Sequence, residues 1–146
     1  MSISKGTHIL GIDYGKKFTG FATYKVQLDP YPLRWGRVSY SSDDQLIKDI
    51  KQIIEDEFID QIVIGIPYFT DGSESKTTKE VKSFALELQS KISIPLFCQD
   101  EALTTYEAQE RMKQDPNFNF KVDLKQIDAL SAAIIIEEYL NSKGVK

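Results

Sequence analysis

The stretch from His8 to Gly15 constrains the fold more than any other part of the chain. Its apolar run Ile9–Ile12 predicts a buried β-strand, and Asp13 follows where that run ends. A carboxylate at the end of a buried strand costs free energy unless it is paired, hydrogen-bonded or bound to a metal ion. Two interpretations stay open at this point. Asp13 is either a metal ligand of the kind that phosphoryl chemistry uses, or an Asp that only caps the turn permitted by Gly15.

Hydrophobic periodicity and turn residues predict five strands and four helices in the order β-β-β-α-β-α-β-α-α. The later strands are predicted at Phe18–Val26, Leu33–Tyr40, Ile62–Ile66 and Ile94–Cys98. The helices are predicted to follow capping residues at Ser42, Thr77, Thr104 and Asp123.

The continuous apolar run Ile62–Ile66 is typical of a parallel strand that is covered on both faces. We therefore predict an α/β fold: a five-stranded mixed sheet with its first three strands antiparallel and helices on both faces. The 146 residues are predicted to form one domain, 1–146.

Composition limits the function classes only weakly. The net charge of −4 and the pI of about 5.1 give no long-range attraction for nucleic acid, although they leave room for a local basic rim. The single cysteine, Cys98, lies in an apolar run and is predicted to be a buried structural thiol. No apolar run is long enough to span a membrane and no signal-peptide core is recognisable, so a cytoplasmic location is expected.

Two further carboxylates occupy positions like that of Asp13. Glu101 follows the fifth strand, and Asp128 leads the uncharged stretch 129–136 of the last helix. Three carboxylates that converge repel one another, and a divalent cation relieves that repulsion. Oxygen ligands favour Mg²⁺ or Mn²⁺, and a zinc site is not expected because His8 is the only histidine. Lys16 and Lys17, in the first hairpin, could hold a phosphate beside Asp13 or could be solvated turn residues.

Four motifs in register resemble those of the YqgF (RuvX) family over residues 8 to 140. They are Gly11-Ile12-Asp13-Tyr14-Gly15-x-Lys17, Gly65-Ile66-Pro67 with Asp71-Gly72-Ser73, Asp100-Glu101-x-Leu103-Thr104-Thr105, and Lys125-x-x-Asp128-Ala129-x-x-Ala132-Ala133. The resemblance implies an RNase H-like fold in which Asp13, Glu101 and Asp128 form the catalytic, metal-binding triad. It also implies substrate-binding roles for the residues at the matching motif positions, namely Lys17, Gly72, Ser73, Thr104 and Lys125.

The chain departs from the family pattern at three positions. Ala102 and Phe18 stand where the family usually has arginine, and Phe69 stands where it usually has asparagine. The absence of these arginines is expected to affect substrate affinity and substrate choice more than metal binding.

The resemblance implies a Mg²⁺- or Mn²⁺-dependent endonuclease acting on structured nucleic acid, first of all in 5′-end maturation of pre-16S rRNA. Resolution of branched DNA is the second nuclease candidate, and a non-catalytic nucleic-acid-binding or transcription-linked regulator is the candidate from another class. Actin-like ATPases share the Gly-Ile-Asp-x-Gly opening, but they need a duplicated second domain that 146 residues do not hold. The expected partner is nucleic acid rather than a membrane, and the expected state is a monomer or weak dimer.

Overall fold

A five-stranded mixed sheet forms the centre of the molecule. The structure, a computed structural model, describes residues 3–101 and 104–145, with side chains left undescribed at 104–106. Its elements are β1 His8–Asp13, β2 Phe18–Lys25, β3 Leu33–Ser39, α1 Asp43–Glu57, β4 Gln61–Pro67, α2 Lys76–Lys91, β5 Leu96–Glu101, α3 Thr104–Lys113, a 3-10 helix Pro116–Phe118, and α4 Ile127–Ser142.

The strand order is β3-β2-β1-β4-β5. β1 pairs antiparallel with β2, and β2 pairs antiparallel with β3. β1 pairs parallel with β4, and β4 pairs parallel with β5. The carboxyl ends of β1, β4 and β5 therefore meet at one edge of the sheet, where open α/β sheets bind their ligands. The predicted mixed sheet, with its first three strands antiparallel, is confirmed.

Helices cover both faces, as predicted. On one face α1 and α2 pack on Leu10, Ile12 and Ile64. On the other face α4 packs on Ile9, Ala22 and Val63, and α3 packs on α4. Alternate residues of a strand point to opposite faces, so Gly11 and Asp13 share the α4 face with Ile9.

Small strand residues let α4 approach the sheet closely. A Cβ atom on Gly11 would lie 2.8 Å from the carbonyl oxygen of Ala132, well inside normal contact distance. Helix α4 is buried along most of its length, with Ile134 and Ile136 fully inaccessible. This explains why residues 129–136 carry no charge, because that stretch lies between the sheet and α3.

Three local predictions were wrong. The side chain that caps α2 is Ser75, which forms a reciprocal capping box with Thr78; Thr77 lies within the helix. Asp123 does not cap α4 directly, because a turn over 124–126 separates it from the first helical residue, Ile127. Cys98 is exposed on the edge strand β5 rather than buried.

Strand β5 is also longer than predicted. Gln99, Asp100 and Glu101 continue the parallel pairing with Gly65–Pro67. Within the described residues, no helix is both long enough and apolar enough to cross a membrane.

Candidate active site

The three predicted acids lie at the same end of the sheet. Asp13 is the last residue of β1 and Glu101 is the last residue of β5, two strands that run parallel on either side of β4. Asp128 is the second residue of α4, the helix that crosses this face.

A glycine on β2 sets the approach of Asp128 to Asp13. Gly20 pairs directly with Asp13 across the β1–β2 ladder. A Cβ atom on Gly20 would overlap the backbone carbonyl of Asp128. The first turn of α4 therefore rests on the strand residue beside Asp13, which brings the two carboxylates together.

Gly65, on the strand β4 between β1 and β5, leaves room for the side chain of Glu101. A Cβ atom on Gly65 would overlap the side chain of Ile135 in α4 and would lie 3.4 Å from Cγ of Glu101. The Glu101 side chain therefore extends over β4, toward the position of Asp13, on the face that α4 covers.

The electrostatics of the site show that these acids influence one another. Burial, and then the charge of Asp128, raise the pKa of Asp13 to about 7. Burial raises the pKa of Glu101 to about 8, with further contributions from neighbouring carboxylates that include Asp13. Burial also raises the pKa of Asp128, although the Arg37 guanidinium acts in the opposite direction. Each of these carboxyl groups would be stabilised as an anion by an added cation.

One oxygen in the site has no hydrogen-bond partner among the described residues. It is Oε1 of Glu101, which is buried. A buried acceptor without a partner carries a cost of about 1–3 kcal/mol, and a bound cation would remove it. Among the described residues, no three Asp, Glu, His or Cys side chains are close enough as they stand to hold one ion. The all-oxygen donor set and the unpartnered carboxylate nevertheless fit a hard divalent ion such as Mg²⁺ or Mn²⁺.

The predicted substrate-binding residues fall into two groups. Lys17 lies in the β1–β2 hairpin with its Nζ 5.9 Å from the ring centroid of Phe18. Lys125 is exposed in the turn just before α4, where its backbone N–H donates to Asp123. Both lysines thus flank the Asp13–Asp128 side of the site.

The second group flanks Glu101. Gly72 lines a cavity of about 370 Å³ together with Tyr68, Phe69 and Glu101. The neighbouring Ser73 hydroxyl donates to Asp71 at 2.6 Å, which closes a tight turn around Gly72. Thr104 begins α3, but its side chain lies outside the described residues, and so does the whole of Ala102. None of the substrate-binding roles is tested by the geometry alone, and they stay predictions.

Sequence reasoning missed two residues that shape the site. Arg37 on β3 places its Nη1 3.6 Å from Oδ2 of Asp128, the ion pair that partly neutralises that acid. Tyr14, next to Asp13, donates to Asp43 at 2.7 Å and stacks on Phe84 with ring centroids 4.5 Å apart. The Tyr14 contacts tie the end of β1 to α1 and α2. The Gly-Ile-Asp-Tyr-Gly motif could have indicated this role, whereas no sequence signal linked Arg37 to Asp128.

The family model for RuvX, described as "Holliday junction resolvase", matches residues 7–142. The chain belongs to this family. The match confirms the resemblance inferred from the four motifs and covers every described residue of the candidate site.

Relatives of similar length carry the name "Putative pre-16S rRNA nuclease". The Orientia tsutsugamushi protein is 36% identical over 141 residues, covering 93% of this chain and 87% of its own. The Protochlamydia amoebophila protein is 35% identical over 145 residues, covering 95% of this chain and 96% of its own. The Maridesulfovibrio salexigens protein is 31% identical over 133 residues, covering 90% of this chain and 96% of its own.

Solved structures of Holliday junction resolvases share the fold of this RuvX-family chain. Thermus thermophilus RuvC superposes with a TM-score of 0.59 at 12% identity, covering 95% of this chain and 98% of its own. The yeast mitochondrial resolvase Ydc2 superposes with a TM-score of 0.60 at 14% identity, covering 98% of this chain and 81% of its own. At these identities the similarity shows the fold, and it confirms the predicted RNase H-like architecture.

Proposed function

We propose that this RuvX-family protein is a metal-dependent endonuclease that hydrolyses phosphodiester bonds in structured nucleic acid. Its first candidate substrate is pre-16S rRNA, which the names of its relatives give, and we expect it to act at the 5′ end of that precursor. The observation that carries the proposal is the convergence of Asp13, Glu101 and Asp128, with raised pKa values, at the carboxyl edge of the sheet.

The proposed metal ligands are these three carboxylates. When bound, divalent ions of this kind activate a water molecule and stabilise the leaving oxygen of a phosphodiester. We take Asp13 as the ligand that lies between the other two acids. The charge of Asp128 raises the pKa of Asp13, and the charge of Asp13 in turn raises the pKa of Glu101.

The protonation of Asp13 and Glu101 makes cation binding at this site depend on pH. Without a cation, carboxyls with pKa values of about 7 and about 8 hold a proton over much of the neutral range. Binding of a cation therefore releases protons from Asp13 and Glu101, which predicts that metal affinity rises with pH. Lys17 and Lys125 then supply positive charge for the substrate phosphates on the Asp128 side.

Cleavage assays test this proposal directly. The pure protein is incubated with and without Mn²⁺ on a pre-16S rRNA fragment and on a four-way DNA junction. We expect Mn²⁺-dependent cleavage of the precursor near the mature 5′ end. Binding of both substrates without any cleavage would instead support the regulator, and the nuclease proposal would fail.

Resolution of branched DNA is the second candidate, because the family description names that activity and resolvases share the fold. Symmetric cuts in the junction, together with an uncut rRNA precursor, would favour it over rRNA maturation.

A further inference from the structure

Strand β3 presents two arginines on the active-site face. The chain has three arginines, and Arg34 and Arg37 are both on this edge strand. In a regular strand, residues three apart point to opposite faces of the sheet. Here Arg37 pairs with Gly20 and Arg34 pairs with Ala22, and both of these β2 residues face α4.

A β-bulge produces this alignment. The register between β2 and β3 shifts between Phe21 and Ala22, so that Trp35 is the extra residue. Gly36 has φ +145°, a conformation that favours glycine. Trp35 turns to the opposite face, where its ring meets Phe21 edge-on at 5.8 Å. The bulge thus re-aims a side chain next to the candidate active site, a common use of bulges.

The two guanidinium groups are held in place but keep free donors. Nη1 of Arg37 donates to the Leu124 carbonyl at 3.0 Å, and its guanidinium lies 3.6 Å from the Phe18 ring centroid. Nη1 of Arg34 donates to Oε1 of Gln126 at 2.9 Å. A guanidinium has five N–H donors, and within the described residues these contacts and the pairing of Arg37 with Asp128 involve Nη1 alone, so other donors are available for a phosphate. Arg34 is exposed, and the Arg37 side chain is one quarter exposed.

A cavity of about 350 Å³ adjoins Arg34. The exposed Tyr31 and the Phe118 ring, which Arg34 covers at 4.7 Å, contribute to its walls. Arg111, Asp115 and Glu137 also line the cavity, and Arg111 pairs with Glu137 at 2.8 Å, so together with Arg34 its walls carry two positive and two negative side chains and no net charge. Such a pocket suits a neutral nucleobase stacked on an aromatic ring better than it suits a phosphate.

We propose that Arg37 and Arg34 form a phosphate-binding track that leads an unpaired nucleic-acid strand from Asp128 along β3, with one base in the Tyr31–Phe118 cavity. This inference rests on the proposed nuclease function and specifies its substrate as single-stranded at this side of the site. Arg37 also places a positive charge next to Phe18, a position where the family usually has arginine.

Binding to labelled oligonucleotides tests the track. Fluorescence anisotropy is measured in chelator at several salt concentrations, using a single strand and its duplex, each as RNA and as DNA. Each phosphate contact on a single strand contributes a slope of about 0.7 in log affinity against log salt. R37Q and R34Q are each expected to flatten the slope by about 0.7 and to weaken binding about five-fold at 0.1 M salt. The double variant should lose about 25-fold if the two contacts are independent.

Matched variants separate binding from structure. Lys48, exposed on α1 against the opposite face of the sheet, provides the control K48Q, which should leave both affinity and slope unchanged. R37K and R34K keep the charge and should retain the slope. Y31A should weaken single-strand binding at least about five-fold and leave duplex binding unchanged. The ratio of RNA to DNA affinity identifies which of the two the track prefers.

An unchanged salt slope in R37Q and R34Q, with a wild type that binds, would overturn the track and leave the nuclease proposal standing. The track would also be overturned if the Lys variants lost as much binding affinity and melting temperature as the Gln variants. That pattern is expected if the two arginines only stabilise the fold. A wild type that neither binds nor cleaves any of these nucleic acids would overturn both proposals.

Discussion

At the scale of single residues, the site contains carboxyl groups whose pKa values the fold raises by burial and, for Asp13 and Glu101, by neighbouring carboxylates. Asp13 shows this best, because burial and Asp128 together raise its pKa to about 7. Asp128 differs, since Arg37 lies beside it at 3.6 Å. This difference gives the two acids separate expected effects on stability.

Replacing Asp13 tests its role in catalysis. Asp13→Asn keeps the size of the side chain and removes the charge that would hold a cation between Glu101 and Asp128. We expect cleavage in Mn²⁺ to fall by more than about 100-fold, with the far-UV circular dichroism unchanged. Full activity in a folded Asp13→Asn protein would contradict the triad.

The same variant tests the repulsion in the metal-free protein. Above about pH 8, where Asp13 is ionised even without a cation, removing this buried carboxylate should relieve about 1 kcal/mol, or roughly 2–5 °C in melting temperature for a domain of this size. Asp13→Asn should therefore melt higher than wild type in chelator and gain less from millimolar Mn²⁺.

Asp128→Asn is the matched comparison for those melts. It also removes a charge from the site, but it loses the attraction of Arg37. Its melting temperature in chelator should change less than that of Asp13→Asn. If both variants melt well below wild type and respond fully to Mn²⁺, the carboxylates are structural hydrogen-bonding groups rather than metal ligands.

At the scale of elements, the position of α4 decides whether the acids meet. The helix packs its large apolar side chains on the sheet, and it also approaches the strands closely at Gly11 and Gly20, which leave room for its backbone. A side chain at either position must push the helix away.

Substitution of these glycines by alanine separates stability from activity. Gly20→Ala and Gly11→Ala should each cost about 1–3 kcal/mol, because the new methyl group meets α4 backbone. Gly20 underlies Asp128, whereas Gly11 underlies Ala132 one turn further along the helix. At a temperature where both variants are folded, Gly20→Ala should lose more cleavage activity. Equal losses would mean that Asp128 does not depend on this contact.

The order and type of the elements could be predicted from sequence because apolar periodicity and turn residues report them directly. The end of β5 could not, since Gln99 and Asp100 are polar yet pair through their backbones with β4. The start of α4 was misplaced because the carboxylate of Asp123 accepts from the Lys125 N–H within a turn that precedes the helix. The acids were predicted from their positions at element ends, but the alignment of Arg34 and Arg37 depends on a bulge that alternation of residue types does not reveal.

At the scale of the whole molecule, the buried acids predict an unusual pH dependence of stability. The folded-state pKa values of Asp13 and Glu101, about 7 and about 8, lie above those of an unfolded chain, near 4. At pH values between about 4 and 8, the folded protein therefore binds more protons than the unfolded chain. Their contribution to stability is fully present below about pH 4 and is lost as pH rises through about 7 and 8.

Melting temperatures in chelator should accordingly fall between about pH 5 and pH 8. Millimolar Mn²⁺ should oppose this fall, because the ion replaces the protons on the carboxylates. The same scan on Asp13→Asn should show a shallower fall. A melting temperature that rises steadily from pH 5 to pH 8 in chelator would show that these carboxylates are ionised and compensated in the folded protein.

The way α4 closes the site makes activity depend on contact between the two ends of the chain. Asp13 comes from the first strand and Asp128 from the final helix, so the pair forms only through contacts between the two ends of the sequence. Contacts of such long sequence separation form late and slowly, because a large loop must close before they are gained. A local opening that frees α4 would separate Asp128 from Asp13 while leaving the β1–β2 hairpin paired. Hydrogen exchange along α4 would then report the fraction of molecules that are competent to cut.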